Sequence, residues 1–277
     1  MKVVTTVAEL REAREHLAGP VGLVPTMGYL HAGHLALVRA AREACASVIV
    51  SIFVNPKQFA PHEDFTDYPR DLDRDLRLLE EAQTDLVFVP STEEIYPQGF
   101  STSVDVGALG ERLEGTSRPG HFRGVATVVT RLFCLTQPDR SYFGQKDAQQ
   151  TVVIRRLVSD LGFPIEVVVV PTVRESDGLA LSSRNIYLNR DERNASRALS
   201  ASLRSVRATW EAGERDARRL KRVVRDVVGG EPLIHLEYVS VANVETLEEL
   251  DHVDSRALVS LAAVVGKARL IDNITLG

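Results

Sequence analysis

The chain has 277 residues, 44% hydrophobic and 26% charged, which excludes a disordered protein and suffices for one large domain or a medium and a small one. A formal net charge of -5 and a pI near 5.9 argue against a general nucleic-acid partner, which needs a basic face. No run approaches the ~18 apolar residues of a membrane helix, and Met1–Val4 leads at once into polar residues rather than a signal-peptide core.

In chain order, Thr6-Val7-Ala8-Glu9 predicts a capping box opening a helix to about Leu17. Val21–Val24 reads as a strand stopped by Pro25, and 34–45 as an amphipathic helix. The nearly continuous apolar run 47–54 predicts a strand covered on both faces, followed by a proline-bearing loop over 55–69. A charged helix over 70–83 and a strand over 85–89 come next, then a helix over 122–135 and a strand over 141–143. A helix over 147–161 and a strand over 165–170 complete the block. This alternation predicts an α/β fold, a Rossmann-like doubly wound parallel sheet, with ligands at the carboxyl ends of its strands. After Pro171 the pattern changes to two Arg-rich helices, 190–212 and 216–228, and strands over 233–241, 257–265 and 268–276. The expected division is therefore 1–172 and a smaller α+β domain over 173–277. Cys45 and Cys134, in apolar helical patterns and without metal-ligand spacing, are expected to be buried thiols in a reducing compartment.

Chemistry concentrates first at Pro25-Thr26-Met27-Gly28-Tyr29-Leu30-His31-Ala32-Gly33-His34. A strand runs through a glycine-bearing loop into a helix, whose first turn offers unpaired N–H groups and the positive end of a dipole to an anion. His31 and His34, three apart, face one side, and Gly33 lets a ligand approach the backbone. His-x-Gly-His is expected by chance only about 0.01 times in this composition. Two such donors suit an α-phosphate from which charge moves onto leaving pyrophosphate. Asn55 and Gln58 follow a strand end, where an amide can bind a hydroxyl or carboxylate; ordinary loop polarity is the alternative. Lys146, beside Gly144 and Asp147, is one of five lysines among 33 basic residues, and a compact ammonium fits between phosphate oxygens; a solvated lysine is the alternative. Ser182-Ser183-Arg184 after Asp177-Gly178 offers two hydroxyls and a guanidinium fork on a loop able to close over triphosphate, or a plain turn. The arginines at 155–156 and 215–225 read as solvated helix faces.

The two-histidine element resembles the HIGH-type motif of the nucleotidyltransferase superfamily, and with Pro25-Thr26-Met27-Gly28 before it resembles the pantothenate synthetase family in particular. Phe53-Val54-Asn55-Pro56-Lys57-Gln58-Phe59, Pro119-Gly120-His121-Phe122-Arg123-Gly124-Val125, Tyr142-Phe143-Gly144-Gln145-Lys146-Asp147 with Gln150, and Arg174-Glu175 with 177–185 resemble further family blocks, in order and at family-like spacing. The resemblance implies ATP-dependent condensation of (R)-pantoate with β-alanine through pantoyl adenylate, releasing AMP and pyrophosphate. It implies ATP along Met27, Gly28, Tyr29, Leu30, His31, Ala32, Gly33 and His34, with His34 as proton donor. Gly144, Gln145, Lys146, Asp147, Val173, Leu181, Ser182, Ser183 and Arg184 would complete the nucleotide site. Gln58 would meet both pantoate and β-alanine, and Gln150 would meet pantoate. Mg²⁺ bound mainly through the phosphates of ATP, a cytoplasmic homodimer and a covering role for 173–277 are implied as well. Leu181 stands where relatives often carry Met, a volume-conserving change. Asp73 and Asp75 flank Arg74 where some relatives carry adjacent aspartates, so no protein ligand for magnesium is assigned. A nucleotidyltransferase acting on a phosphate acceptor, a non-catalytic nucleotide sensor and a tRNA synthetase are the competing readings.

Overall fold

The computed structural model describes residues 1–60, 63 and 65–277; Pro61, His62 and Asp64, part of the expected 55–69 loop, lie outside the described residues. The chain divides into two units, residues 1–144 with 153–171, and residues 145–152 with 172–277.

The first unit opens with β1 (Lys2–Val4), a strand too short for its alternation to show in the sequence. Then follow α1 (Val7–Glu15), β2 (Val21–Thr26), α2 (Ala32–Ala44), β3 (Ser47–Ile52), α3 (Leu72–Glu81) and β4 (Leu86–Phe88). The capping box forms as expected, with Glu9 N–H donating to Thr6 Oγ1 and Thr6 N–H donating to Glu9. Three single-turn helices that no periodicity announces, α4 (Thr92–Ile95), α5 (Ala108–Glu111) and α6 (Glu114–Ser117), lead to α7 (His121–Thr136) and β5 (Arg140–Gly144). Helix α8 (Ala148–Asp160), whose first residues belong to the second unit, precedes β6 (Glu166–Val170).

Among the described residues these six strands form one sheet in the order β1-β4-β3-β2-β5-β6, every pair parallel. Successive residues Leu23 and Val24, and Ile49 and Val50, are all fully buried, so both faces are covered. Leu37, Val38 and Ala41 of α2 and Leu79 of α3 pack on the Val24–Val50–Val87 face. Each such large side chain contributes ~1.5–3 kcal/mol by leaving water. The chain order reverses between β2 and β5, the switch point where open α/β sheets bind ligands. There the two strands pair only at Gly22↔Arg140 and Leu23↔Ser141, so their carboxyl halves are not zipped together. This corrects the expectation that Pro25 ends β2. The strand continues to Thr26 opposite Ile52 of β3, and the proline's missing N–H falls where β5 asks for no partner.

In the second unit, α9 (Arg190–Glu211) and α10 (Ala217–Gly229) are capped by Asn189 and Asp216. They pack on an antiparallel sheet of β7 (Ile234–Asn243), β8 (Ala257–Val265) and β9 (Ala268–Leu276), in that order. Leu199, Leu203, Leu220 and Val224 meet the alternate residues Val259, Leu261 and Ala263 of β8. The fold is thus α/β, a doubly wound parallel sheet with a smaller α+β unit. Cys45 is buried as expected, but Cys134 is exposed: it falls three helical turns after exposed Arg123, on the outer side of α7.

Candidate active site

At the carboxyl end of β2, Thr26 Oγ1 donates to Ser51 O (2.8 Å) and accepts from Gly28 N–H (3.2 Å), which starts the turn. Gly28 (φ 83°) and Tyr29 (φ 51°) are both left-handed. For Tyr29 that conformation costs on the order of 1–3 kcal/mol and persists only because its surroundings enforce it. Asp75 of α3 enforces it. Its carboxylate, 1% exposed, accepts Tyr29 N–H and Leu30 N–H, each at 2.7 Å. Burial pushes the Asp75 pKa up, against the pull of those two amides and of Arg74. Arg74 also lies over the Tyr29 ring. Asp75 is therefore a backbone clamp, while Asp73 is exposed.

His31 is the N-cap of α2, so the helix starts ahead of the position expected. Its Nδ1 accepts Gly33 N–H (3.1 Å), and His34 Nδ1 accepts His31 N–H (3.3 Å). The first turn therefore does not offer all its amides to a ligand: those of His31 and Gly33 are spent on the imidazoles. In return both rings are fixed as tautomers, because an Nδ1 that accepts leaves the proton on Nε2. The rings stack with centroids 4.0 Å apart, giving two Nε2–H donors side by side.

The second loop follows β3. Asn55 caps the 3₁₀ turn Pro56–Gln58 and is 1% exposed. Its Oδ1 accepts Lys57 N–H (3.2 Å) and Tyr96 Oη–H (2.8 Å), and its Nδ2 donates to Gly124 O (3.1 Å) and Gln58 Oε1 (3.0 Å). Asn55 is thus occupied inside the protein, where it orients Gln58. With Oε1 held, Gln58 turns its Nε2 toward Met27, donating to Sδ at 3.3 Å and tying the two loops. Helix α7 grips the Gln58 backbone. A Cβ on Gly124 would lie 2.2 Å from Lys57 O, so only glycine permits this approach. His121 Nδ1 donates to Gln58 O (2.8 Å), while its Nε2 accepts from Arg118 (3.0 Å). Arg118 forms a fork with Glu63 at 2.6 and 2.7 Å. Burial, helped by Arg118, pushes the His121 pKa down to about 4, so the ring is neutral. A cavity of about 460 Å³ opens beside Gln58, with Lys57, Arg118, Arg123 and Thr127 among its walls.

Gly144 ends β5, and Gln145–Asp147 form a 3₁₀ turn in the second unit. Lys146 Nζ lies 3.7 Å from Asp147 Oδ1, and Gln150 sits half-buried in the first turn of α8. Val173 and Leu181 meet across a hairpin, Leu181 N–H donating to Val173 O (3.0 Å) beside the Arg174↔Ala180 bridge. Ser182 caps the 3₁₀ turn Ser183–Tyr187, its Oγ accepting Arg184 N–H (3.3 Å), and Ser183 is buried. Arg174 pairs with Asp272 of β9, and Arg193 with Glu175 and Asp177. The structure thus brings Met27–His34, Asn55 and Gln58 together in the first unit. Gln145–Asp147, Gln150, Val173 and Leu181–Arg184 belong to the second.

Sequence reasoning missed the supports: Asp75, Arg118, Glu63, Asp272 and Asn273. Two left a readable signal. Asp75 lies four residues before Leu79 on the buried side of α3, and Asp272 interrupts the apolar row Leu270–Ile274–Leu276 of β9.

Comparison with known proteins covers the whole chain. Residues 2–275 match the family model described as pantoate-beta-alanine ligase. The pantothenate synthetase of Roseiflexus sp. (strain RS-1) is 59% identical over 276 residues, covering 100% of this chain and 99% of the relative. The crystal structure of pantothenate synthetase from Thermus thermophilus superposes with a TM-score of 0.95 at 51% identity, over 99% of each chain. A Francisella tularensis pantoate-beta-alanine ligase, complexed with beta-gamma ATP and beta-alanine, matches with a TM-score of 0.83 at 34% identity over 99% of this chain and 97% of its own. A paired-imidazole loop at the sheet's switch point, an amide-bearing second loop and end-to-end similarity lead to one conclusion: the chain belongs to the pantoate–β-alanine ligase family.

Proposed function

We infer that this chain is an AMP-forming ligase joining (R)-pantoate to β-alanine through pantoyl adenylate. The observation that carries the reading is the His31–His34 pair, whose backbone bonds fix two Nε2–H donors beside a helix N-terminus. In the first half-reaction a pantoate carboxylate oxygen attacks the α-phosphorus of ATP, and the bond from that phosphorus to the α,β-bridging oxygen breaks to release pyrophosphate. The nucleophile is already anionic, so no base is needed; donors that meet the developing charge supply the catalysis. His34 and His31, with Lys146, take that role, and Ser182, Ser183 and Arg184 line the nucleotide. In the second half-reaction the neutral amine of β-alanine attacks the acyl carbon, the acyl–oxygen bond to AMP breaks, and the nitrogen gives up a proton.

Gln58, held by Asn55 through its Oε1 and donating one NH₂ hydrogen to Met27 Sδ, is the donor to pantoate through the other, assisted by Gln150; Asn55 then acts through Gln58. The remaining ATP contacts are assigned to Met27–Gly33, Gly144, Gln145, Asp147, Val173 and Leu181. We assign 1–172 as the catalytic part and 173–277 as the part that keeps water from the adenylate. Among the described residues no group of three His, Cys, Asp or Glu could hold a metal, and Asp75 is committed to amides. We assign Mg²⁺ to the phosphates of ATP, as the family resemblance implies, and no step is routed through it. Family membership supports a cytoplasmic homodimer.

Labelled pyrophosphate tests the reading. It should exchange into ATP with pantoate and Mg²⁺ present and β-alanine absent. Exchange that requires β-alanine, or a phosphorylated acceptor, would overturn the adenylate.

A further inference from the structure

Two neighbouring residues of β9 make bonds that the reaction as derived does not use. Asn273, 4% exposed, donates through Nδ2 to Gln145 O (3.0 Å) and Lys146 O (2.8 Å), and its Oδ1 accepts Gln145 Nε2 (2.9 Å). Asp272, 2% exposed, takes the Arg174 guanidinium on both oxygens, at 2.6 and 2.8 Å. Arg174 also donates to Gly178 O (3.1 Å), so one guanidinium spans both arms of the 173–181 hairpin. Adjacent strand residues point to opposite faces, so these side chains serve two different segments. They are joined as well, because Asn273 N–H donates to Asp272 Oδ1 (2.8 Å).

We propose that Asp272 and Asn273 form a joint that makes the Lys146 turn and the 173–184 hairpin one rigid nucleotide-gripping piece, with Asn273 the positioning residue for Lys146. The physical reason is entropic. A lysine carries several rotatable bonds, and a phosphate contact forms readily only if the base of the side chain is already fixed. Asn273 fixes that base through the carbonyls on either side of the Lys146 Cα. Arg174, half-buried against a carboxylate, fixes the hairpin in the same frame; Asp272 raises its pKa further above the usual value. The inference rests on the phosphate role of Lys146 and adds that this role fails without Asn273.

The test separates the half-reactions. Pyrophosphate exchange with pantoate reads adenylation, and turnover of synthetic pantoyl adenylate with β-alanine reads the second step, after pyrophosphate has left. Asn273→Asp keeps the shape and the acceptor toward Gln145 but sets a carboxylate oxygen against two carbonyls; Asn273→Ala removes all three bonds. Both should slow exchange ~10- to 100-fold and leave adenylate turnover within about twofold, because a small misplacement costs that much in a positioned step. Lys146→Ala should show the same split. Folded Asn273 variants that exchange at the wild-type rate, or that lose both half-reactions alike, overturn the joint while leaving Lys146 its role. Normal exchange by Lys146→Ala overturns the role itself, and the joint's purpose with it. A measurement on the unmodified chain stands whether or not the variants fold. Hydrogen exchange of peptides covering 143–150 and 172–182 should report one shared opening event, and separate openings contradict the proposal.

Discussion

The β2–α2 loop and the turn after β5 stand at the carboxyl ends of adjacent strands, yet they are held in different ways. The first is built largely by itself: Thr26 starts the turn, His31 and His34 cap their own helix, and Asp75 clamps Tyr29 and Leu30 from outside. The second owes its hold to Asn273, 127 positions away from Lys146. A self-capping loop can carry a motif that is recognisable from ten residues. A turn held from a distant strand cannot, and its lysine looks like any other until the fold is known.

The largest expected effect tests the self-built loop. His34→Ala should lower adenylation about a hundred- to a thousandfold, the usual cost (~2.7–4 kcal/mol) of losing a donor to a developing anion. Circular dichroism should show the fold retained, and near-normal exchange would remove His34 from the chemistry. Asp75→Asn comes next. It turns an amide NH₂ toward one of the two backbone N–H groups and should cost ~1–3 kcal/mol in denaturant unfolding. It should also weaken ATP binding, since Tyr29 loses the clamp that holds it left-handed. Unchanged stability would show that the turn holds itself.

Gln58→Ala examines the other loop of the first unit. Loss of its NH₂ should raise the KM for pantoate by an amount worth ~1–3 kcal/mol at saturating ATP. An unchanged KM refutes the contact. The last prediction is a pH dependence. Folded His121 stays neutral down to about pH 4, whereas in the unfolded chain it protonates near 6.5. Between those values the unfolded state binds the extra proton. Stability contributed here is therefore full above about pH 6.5 and falls as pH drops toward 4, by at most ~1.4 kcal/mol per pH unit. Urea midpoints across that window should fall for the natural chain, and His121→Asn should flatten the slope.

The outlines of both units were legible because apolar period and capping residues are local: the helix after Asn189 and the Thr6–Glu9 box need no tertiary information. Pro25 misled because whether a strand tolerates proline depends on how far its neighbour pairs, which is a property of the sheet. Asn55 was legible as a polar residue in the right place but not in its task. Its four hydrogen bonds, two of them to Tyr96 and Gly124 from elsewhere in the chain, convert an apparent ligand group into the holder of Gln58. Type and spacing thus single out candidate residues, while the groups that hold them leave a signal only where, as at Asp75 and Asp272, a carboxylate interrupts an apolar face.

The central claim is that the carboxylate of pantoate becomes bonded to the α-phosphorus of ATP, and oxygen labelling tests it directly. Pantoate carrying ¹⁸O in its carboxylate should be turned over with ATP and β-alanine, and the phosphorus products examined by mass spectrometry. The account predicts one ¹⁸O in the phosphate of AMP and none in pyrophosphate, because the acyl–oxygen bond is the one that breaks when the amine attacks. Label in inorganic phosphate formed with ADP would mean an acyl phosphate, and unlabelled AMP would mean that the carboxylate was never adenylated; either result contradicts the mechanism.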